Sequence, residues 1–144
     1  MNNLTFVKRD YRYELDDGQL HSYSQMEYVV DGIDLSIRLG VADLDILARV
    51  TRLTSQELES YRAQELSGLS KPSNQFASGR LILYGCHCGC DYCGVISCLA
   101  RREDDMLIWS DIRGEGFCEK VTSIKELIFP VKQVDHVIRR LKTA

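Results

Sequence analysis

Alternation of apolar and polar residues over the first third of the chain is the feature that most constrains the fold. The segment "LTFVKRDYRYEL" alternates in this way, and "LHSYSQMEYVV" does so again after the turn sequence "DDGQ". A period of two predicts β-strands, because successive side chains of a strand point to opposite faces. Asp31 and Gly32 then lie between apolar runs, a strong signal for a type I′ hairpin turn. We therefore predict an antiparallel three-stranded meander over residues 1–39.

The apolar period changes after the meander, which predicts two central helices at about residues 41–67. The spacing of three or four residues that indicates the first helix is set by Leu44, Leu47 and Ala48. The sequence "TSQE", Thr54 to Glu57, fits a capping box, in which side-chain oxygens accept the free N–H groups at a helix start. The second helix should therefore cover roughly residues 55–66.

The second half of the chain is again rich in strand patterns. The segments "RLILYGC", "GVISCLARR" and "MLIWSDI" predict three strands within about residues 80–121. The segment "ELIF" predicts a short strand that leads into a C-terminal helix, so that this last unit covers about residues 126–142. The apolar stripe of that helix consists of Val134, Val137, Ile138 and Leu141.

Length and composition favour one folded unit. The chain has 144 residues with 44% hydrophobic content, which suffices for one buried core without crosslinks. We expect a single domain over residues 1–144 of the α+β class. It should be mainly antiparallel sheet in two strand-rich halves, with two central helices and a C-terminal helix.

The N-terminal sequence lacks the basic start and apolar run of a signal peptide, and no later window is long and apolar enough for a membrane span. We therefore expect a cytoplasmic protein with no membrane partner. In a reducing compartment, the six cysteines are better interpreted as thiols, metal ligands or small buried side chains than as disulfides.

Five of the six cysteines lie in one short segment, "GCHCGCDYCGVISC", residues 85–98. Thiolates and imidazoles are the ligands that zinc prefers, and a glycine after a cysteine suits the tight turn of a zinc knuckle. The candidate metal ligands are Cys86, Cys88, Cys90, Cys93 and His87. Ligands that could complete the site from elsewhere are Cys118, His136 and His21.

Two other interpretations of this segment stay open. The glycines could simply turn the chain, with buried cysteines acting as small apolar side chains. A dithiol redox site is the third interpretation, but Cys90–Cys93 is followed by a strand-like sequence and lacks the helix N-terminus that lowers a thiol pKa. The expected cofactor is therefore none, or one zinc ion.

The segment from "LILYGC" to "LIWSD" resembles a family of small, uncharacterised bacterial proteins with a "GC-x-CG" knuckle, a third cysteine and a later strand that bears tryptophan. The matching positions are Gly85, Cys86, Cys88, Gly89, Cys93, Trp109 and Asp111. The chain departs from that pattern at Cys90 and Cys98, which are additions, and at Gly94, where the family often has tryptophan. The segments "VVDGIDL" and "ELIFPVKQVDHVIRRL" agree more loosely. The resemblance implies a three-cysteine core and carries no established activity.

Negative charge is concentrated between residues 10 and 45, where nine acidic residues stand against two arginines. Such a surface repels nucleic acid and attracts a basic protein, although a solvated sheet face would carry the same charge. The candidate partner-binding residues are Asp16, Asp17, Asp31, Asp34, Asp43 and Asp45.

The standard sequence signatures of enzymes are absent: no phosphate-binding loop, nucleophile elbow or zinc-protease helix occurs. We therefore expect a non-catalytic binding protein, most concretely a bacterial immunity protein that neutralises a toxin domain by occlusion through its acidic face. The alternative is a structural or regulatory module that binds zinc through the cysteine knuckle. A thiol redox activity is the weakest of the three hypotheses.

Overall fold

The computed structural model describes residues 1–44, 46–52, 56, 61–86, 90–116 and 120–142. Within them the chain forms a three-stranded and a five-stranded antiparallel sheet and three α-helices. The predicted α+β class is confirmed. Within this part of the chain, no helix is both long and apolar enough to cross a membrane.

The first sheet is the predicted meander, with β1 (Leu4–Glu14), β2 (Leu20–Val30) and β3 (Ile33–Asp34) in sequence order. Strands β1 and β2 pair without a break from Leu4 opposite Val30 to Glu14 opposite Leu20. Both residues of the second turn have positive φ, 52° at Asp31 and 79° at Gly32. This is the backbone that a type I′ turn requires.

The third strand is much shorter than predicted, because the chain enters helix α1 (Leu35–Arg38) directly after β3. Leu35 is buried there, and so is Leu39 four residues later. Ser36 is buried beside Leu35 and donates a hydrogen bond to Glu27. The neighbouring residues Leu35 and Ser36 would point to opposite faces of a strand. A helical turn instead allows both of them and Leu39 to be buried.

The prediction that the first central helix begins at residue 41 is wrong. Residues 41–44 form a turn, β4 (Leu47–Ala48) is a strand, and a 3₁₀ helix covers Arg49–Arg52. Strand β4 pairs with the end of β5, and the Ala48 N–H donates to the side chain of Gln25 at 2.7 Å. These non-local hydrogen bonds stabilise the extended backbone, although the local apolar spacing suits a helix.

The second central helix is present as α2 (Tyr61–Leu66). Residue 56 is also helical. The predicted capping box at Thr54 to Glu57 lies outside the described residues, apart from Gln56.

The second sheet contains β4, β5 (Leu81–Gly85), β6 (Val95–Glu103), β7 (Met106–Glu115) and β8 (Ile124–Pro130), in that order. Helix α3 (Val131–Lys142) follows β8 at once. The cysteine segment therefore connects two neighbouring antiparallel strands, as predicted. The predicted terminal strand and helix are also confirmed.

Both sheets contribute to one hydrophobic core. The ring of Tyr28 from β2 packs edge-on against Tyr84 and Trp109 of the second sheet, with centroids 5.4 and 5.9 Å apart. Trp109 in turn contacts Phe129 at 5.0 Å. Helix α3 adds Val134 from its apolar stripe, and this side chain is also buried. Edge-to-face aromatic contacts thus join the two sheets.

Residues near the two ends of the chain are hydrogen-bonded to each other. The Leu4 N–H donates to the side-chain oxygen of Gln133 at 3.0 Å, and the Gln133 amide donates back to the Leu4 carbonyl. Asn2 makes a similar reciprocal pair with the backbone of Ile128 in β8. The edge of the first sheet is thereby fixed to β8 and α3.

A buried arginine crosses β6 and β7 where their pairing is irregular. The register shifts between Ser97 and Leu99, and opposite them Asp111 has a left-handed φ of 49°. Arg80 donates to the Ser97 hydroxyl at 2.8 Å, to the Asp111 carboxylate at 3.1 Å and to the Asp111 carbonyl. Its Nε also lies 3.0 Å from the Glu115 carboxylate. Arg80 therefore stabilises a backbone conformation that is costly for a residue other than glycine.

Candidate functional site

The candidate metal ligands lie between β5 and β6. Cys86 and Cys90 are partly buried, Cys93 is exposed and Cys98 is buried within β6. A short 3₁₀ turn, Asp91–Cys93, begins after Cys90 and ends before a glycine with φ 110°. His87 and Cys88 lie outside the described residues.

Asp91 fixes this turn to the rest of the molecule. Its buried carboxylate accepts a hydrogen bond from Arg49 at 2.9 Å and from the backbone N–H of Gln75 at 2.8 Å. The Asp91 N–H donates in return to the Gln75 side chain at 2.6 Å. The cysteine segment is thus tied to two distant parts of the chain through one carboxylate.

Among the residues that the structure describes, no group of three or more histidine, cysteine, aspartate or glutamate side chains could hold a metal ion. Of the five candidate ligands, Cys86, Cys90 and Cys93 belong to that part of the chain. His21 and His136, the more distant candidates, lie in β2 and α3, and Cys118 is outside the described residues.

The candidate partner-binding carboxylates do not form one continuous surface. Asp16 and Asp17 lie in the turn at one end of the β1–β2 hairpin, whereas Asp31 lies in the turn at the other end. Ten residue steps of about 3.3 Å separate the two ends, which is about 30 Å. Asp43 lies in the turn before β4, and Asp45 is outside the described residues.

Three of these carboxylates already have partners within the chain, and one of them, Asp17, accepts a hydrogen bond from the Gln19 N–H at 2.9 Å in its own turn. Asp31 accepts hydrogen bonds from the Asn2 side chain at 2.7 Å and the Asn3 N–H at 2.8 Å, and both contacts lower its pKa. Asp34 is paired with Arg9 at 2.8 Å. The charges of Asp31 and Asp34 therefore help to hold the first sheet together.

The turn that carries Asp16 and Asp17 belongs to the more exposed end of the hairpin. We call residues 10–24 the distal arm. Of its side chains that the structure describes, only Tyr11 and Tyr23 are partly covered, and their rings stack at 5.3 Å. Leu20, which is 71% exposed, lies near the carboxylates of the turn. The distal arm thus combines a large apolar side chain with negative charge.

A cavity of about 370 Å³ lies where the distal arm meets the body of the molecule. The hairpin contributes Tyr11, Tyr23, Gln25 and Glu27, and the rest of the wall includes Ser36, Tyr84 and the turn before β4. The hairpin supplies these polar groups because Tyr23, Gln25 and Glu27 alternate along β2 and share one face.

Glu27 is the most deeply buried carboxylate in this wall, with 1% of its surface exposed. Its Oε2 accepts a hydrogen bond from Ser36 at 2.8 Å, and its Oε1 accepts one from the Tyr28 N–H at 2.9 Å and another from the Tyr84 hydroxyl. Burial raises the pKa of Glu27 above its ordinary value of 4.5, although these hydrogen bonds oppose the rise.

The raised pKa predicts how Glu27 affects stability. The folded state binds this proton more tightly than the unfolded state, so the stabilisation is complete below pH 4.5 and is lost as the pH rises through the folded-state pKa. The Glu27→Gln variant cannot lose that proton. Its free energy of unfolding, measured by denaturant titration from pH 4 to 8, should therefore increase relative to that of the wild type as the pH rises.

The control for this prediction is Glu103→Gln, which removes an exposed carboxylate and keeps Glu27. The pH profile of its unfolding free energy should follow that of the wild type and should differ from that of Glu27→Gln. Parallel pH profiles for wild type and Glu27→Gln would contradict the assignment of a raised pKa to Glu27.

No protein-family model, no curated protein and no solved structure matches this chain. The resemblance to the family with a cysteine knuckle therefore stays a prediction.

Neither Glu27 nor Arg80 was predicted as important from the sequence. A signal was present for Glu27, because "YSQME" places polar residues at alternate positions of a strand whose end is apolar. Arg80 gave no such signal, since its partners Ser97 and Asp111 are 17 and 31 residues away.

Proposed function

We propose that this chain is a non-catalytic binding protein whose distal arm docks against a basic protein partner. The observation that carries the proposal is the exposure of the arm, together with the carboxylates Glu14, Asp16 and Asp17 near its turn. A projecting strand pair can enter a concave site, and the negative charge favours encounter with a positive surface.

Leu20 supports a docking role over simple solvation. A single exposed leucine is common on protein surfaces, but this one lies close to Leu15, which is also exposed, at the end of the same hairpin. Apolar side chains surrounded by charged groups match the arrangement of protein interfaces, in which an apolar centre has a polar rim.

The most concrete form of the proposal is a bacterial immunity protein that occludes a toxin domain. Toxins that act on nucleic acid carry basic surfaces, which are complementary to the distal arm. The partner to test is the product of a gene adjacent to that of this chain. Co-expression should restore growth to cells that express the toxin domain. A neighbouring product that is not toxic, or no restored growth, would contradict this form of the proposal.

Charge reversal at the turn tests the electrostatic part of the proposal. The double variant Asp16→Lys/Asp17→Lys should weaken binding of the toxin domain at least about tenfold, mainly through slower association. Surface plasmon resonance at two salt concentrations measures both rates, and the wild-type association rate should fall as salt increases.

A matched control is the double variant Glu103→Lys/Asp105→Lys, which makes the same change of charge at the exposed end of β6 and in the turn that follows it. It should change affinity by less than about threefold, since net charge acts only weakly at a distance in salt. Equal effects of the two double variants would assign the attraction to net charge and overturn the role of the arm.

A zinc-binding module is the second proposal, and one observation favours it. Cys90 immediately precedes a single 3₁₀ turn that ends at Cys93, so the two residues flank one tight turn, the arrangement of a zinc half-site. Protein purified without chelator or histidine tag should then contain one zinc per chain, and chelation should lower its stability. Metal-free protein with six titratable thiols after unfolding would contradict this proposal.

A further inference from the structure

The cavity beside the distal arm has a wall that is unusual for a purely structural gap. Three tyrosines, Tyr11, Tyr23 and Tyr84, line it together with the carboxylates of Glu27 and Asp43. Val41, Ala42, Leu44 and Ile46 add apolar surface, so the wall is mixed, unlike the purely apolar lining of a dry packing defect. A volume of about 370 Å³ is within the usual range of small-molecule sites.

The charge of the wall indicates the sign of a ligand. Among the described residues, no lysine, arginine or histidine forms an ion pair with Glu27, although the side chain is nearly fully buried. Burial of an ionised carboxylate without a cation is costly. A positively charged group in the cavity would reduce that cost, because Glu27 is itself removed from water and its charge is poorly screened there.

Two arginines that the structure describes lie near the cavity, and neither forms an ion pair with Glu27. Arg9 lies on the same face of the hairpin as Glu27, but it is paired with Asp34 at 2.8 Å. Arg12 lines the cavity and is exposed, so its positive charge partly offsets the negative charge of the wall. Asp43, also exposed in the wall, adds a second negative charge opposite the hairpin.

The tyrosines indicate what kind of cation fits. The rings of Tyr11 and Tyr23 are stacked at 5.3 Å, with an angle of 17° between them. Aromatic faces attract weakly hydrated organic cations, and they contribute apolar surface to the carbon chain that carries the charge. A small metal ion would instead require several oxygen ligands close together, and the described residues contain no such group.

The geometry points to a binding site for an organic cation, an alkylammonium or guanidinium group, in the cavity between the β1–β2 hairpin and the turn before β4. The cation would lie against Tyr11 and Tyr23, close to Asp43, with Glu27 supplying negative potential from the buried part of the wall. The group could belong to a free amine or to a lysine or arginine side chain of a protein. The second source rests on the proposed function.

The test uses two probes that differ mainly in charge. Butylammonium should cause saturable NMR shifts of the backbone amides of residues 23–27, Ser36 and Asp43, whereas butanol at equal concentration should not. Glu27→Gln and the independent variant Asp43→Asn should each weaken butylammonium binding about tenfold, and the control Glu103→Gln should leave it unchanged. Equal shifts with butanol, or unchanged affinity in both cavity variants, would overturn the proposal.

A peptide arm distinguishes the two sources. Acetyl-Gly-Lys-Gly-amide is compared with butylammonium, with the norleucine peptide as the uncharged control. Tighter binding of the lysine peptide assigns the site to a protein side chain, and tighter binding of butylammonium assigns it to a free amine. Binding of neither probe overturns the proposal. Asp16→Lys/Asp17→Lys should leave butylammonium affinity within about threefold of wild type. The docking proposal can therefore fail while the cation site is retained, and the two results are distinguishable.

Discussion

Replacement of Arg80 with methionine should lower the free energy of unfolding by about 2–4 kcal/mol. The side chain is only 6% exposed, and its guanidinium bonds Ser97, Asp111 and Glu115. Methionine fills much of the same volume but leaves the Asp111 carbonyl and the Ser97 hydroxyl without these hydrogen bonds. The loss also removes the contacts that hold the left-handed backbone at Asp111. Urea denaturation of both proteins measures the difference.

Arg113 provides the control, because it approaches the same carboxylate of Asp111 at 3.5 Å but is 52% exposed. Arg113→Met should cost less than about 1 kcal/mol, as is usual for an exposed ion pair. Comparable losses in the two variants would show that charge, rather than the buried hydrogen bonds of Arg80, stabilises this part of the sheet.

Replacement of Asp91 with alanine should lower the free energy of unfolding by about 2–3 kcal/mol. It removes a carboxylate that is 3% exposed and leaves the Gln75 N–H without its acceptor. The penalty for the unpaired Arg49 is reduced, because that side chain reaches solvent. Since Asp91 anchors the cysteine turn, alkylation of Cys90, which is partly buried, should also become faster than in the wild type.

Tyr92→Ala is the matched control within the same turn. The Tyr92 side chain is largely exposed, and it contacts the ring of Phe76 and the Gln75 carbonyl. Its removal should cost less than about 1.5 kcal/mol and change the alkylation rate of Cys90 less than Asp91→Ala does. The opposite order of the two effects would show that the aromatic contact, and not the carboxylate, anchors the turn.

The parts of the fold that local sequence specifies were predictable. Alternation in β1 and β2 and the Asp31–Gly32 turn required no knowledge of distant residues. The short strand β4 was not predictable, because its backbone conformation depends on the Gln25 side chain and on pairing with Tyr84. Here the tertiary hydrogen bonds that favour an extended chain outweigh a local pattern that favours a helix.

The candidate sites show the same limit. The carboxylates of the distal arm were named from the sequence, but Asp31 and Asp34 could not be separated from Asp16 and Asp17 by charge alone. The cavity depends on Tyr84, which is 57 residues from its partner Glu27. Sequence shows a polar residue on an alternating strand, and only the packing of the second sheet decides that this face is buried.

The hydrogen bonds between Leu4 and Gln133 join residues 129 positions apart, and this separation has a consequence during synthesis. The ribosome releases the hairpin long before β8 and α3 exist to cover Leu4. Until then the nascent chain exposes one edge of its first sheet and the apolar side chains that will meet Trp109. Folding of the complete core must therefore wait until β8 and α3 have been translated, which leaves a period in which chaperones can bind the growing chain.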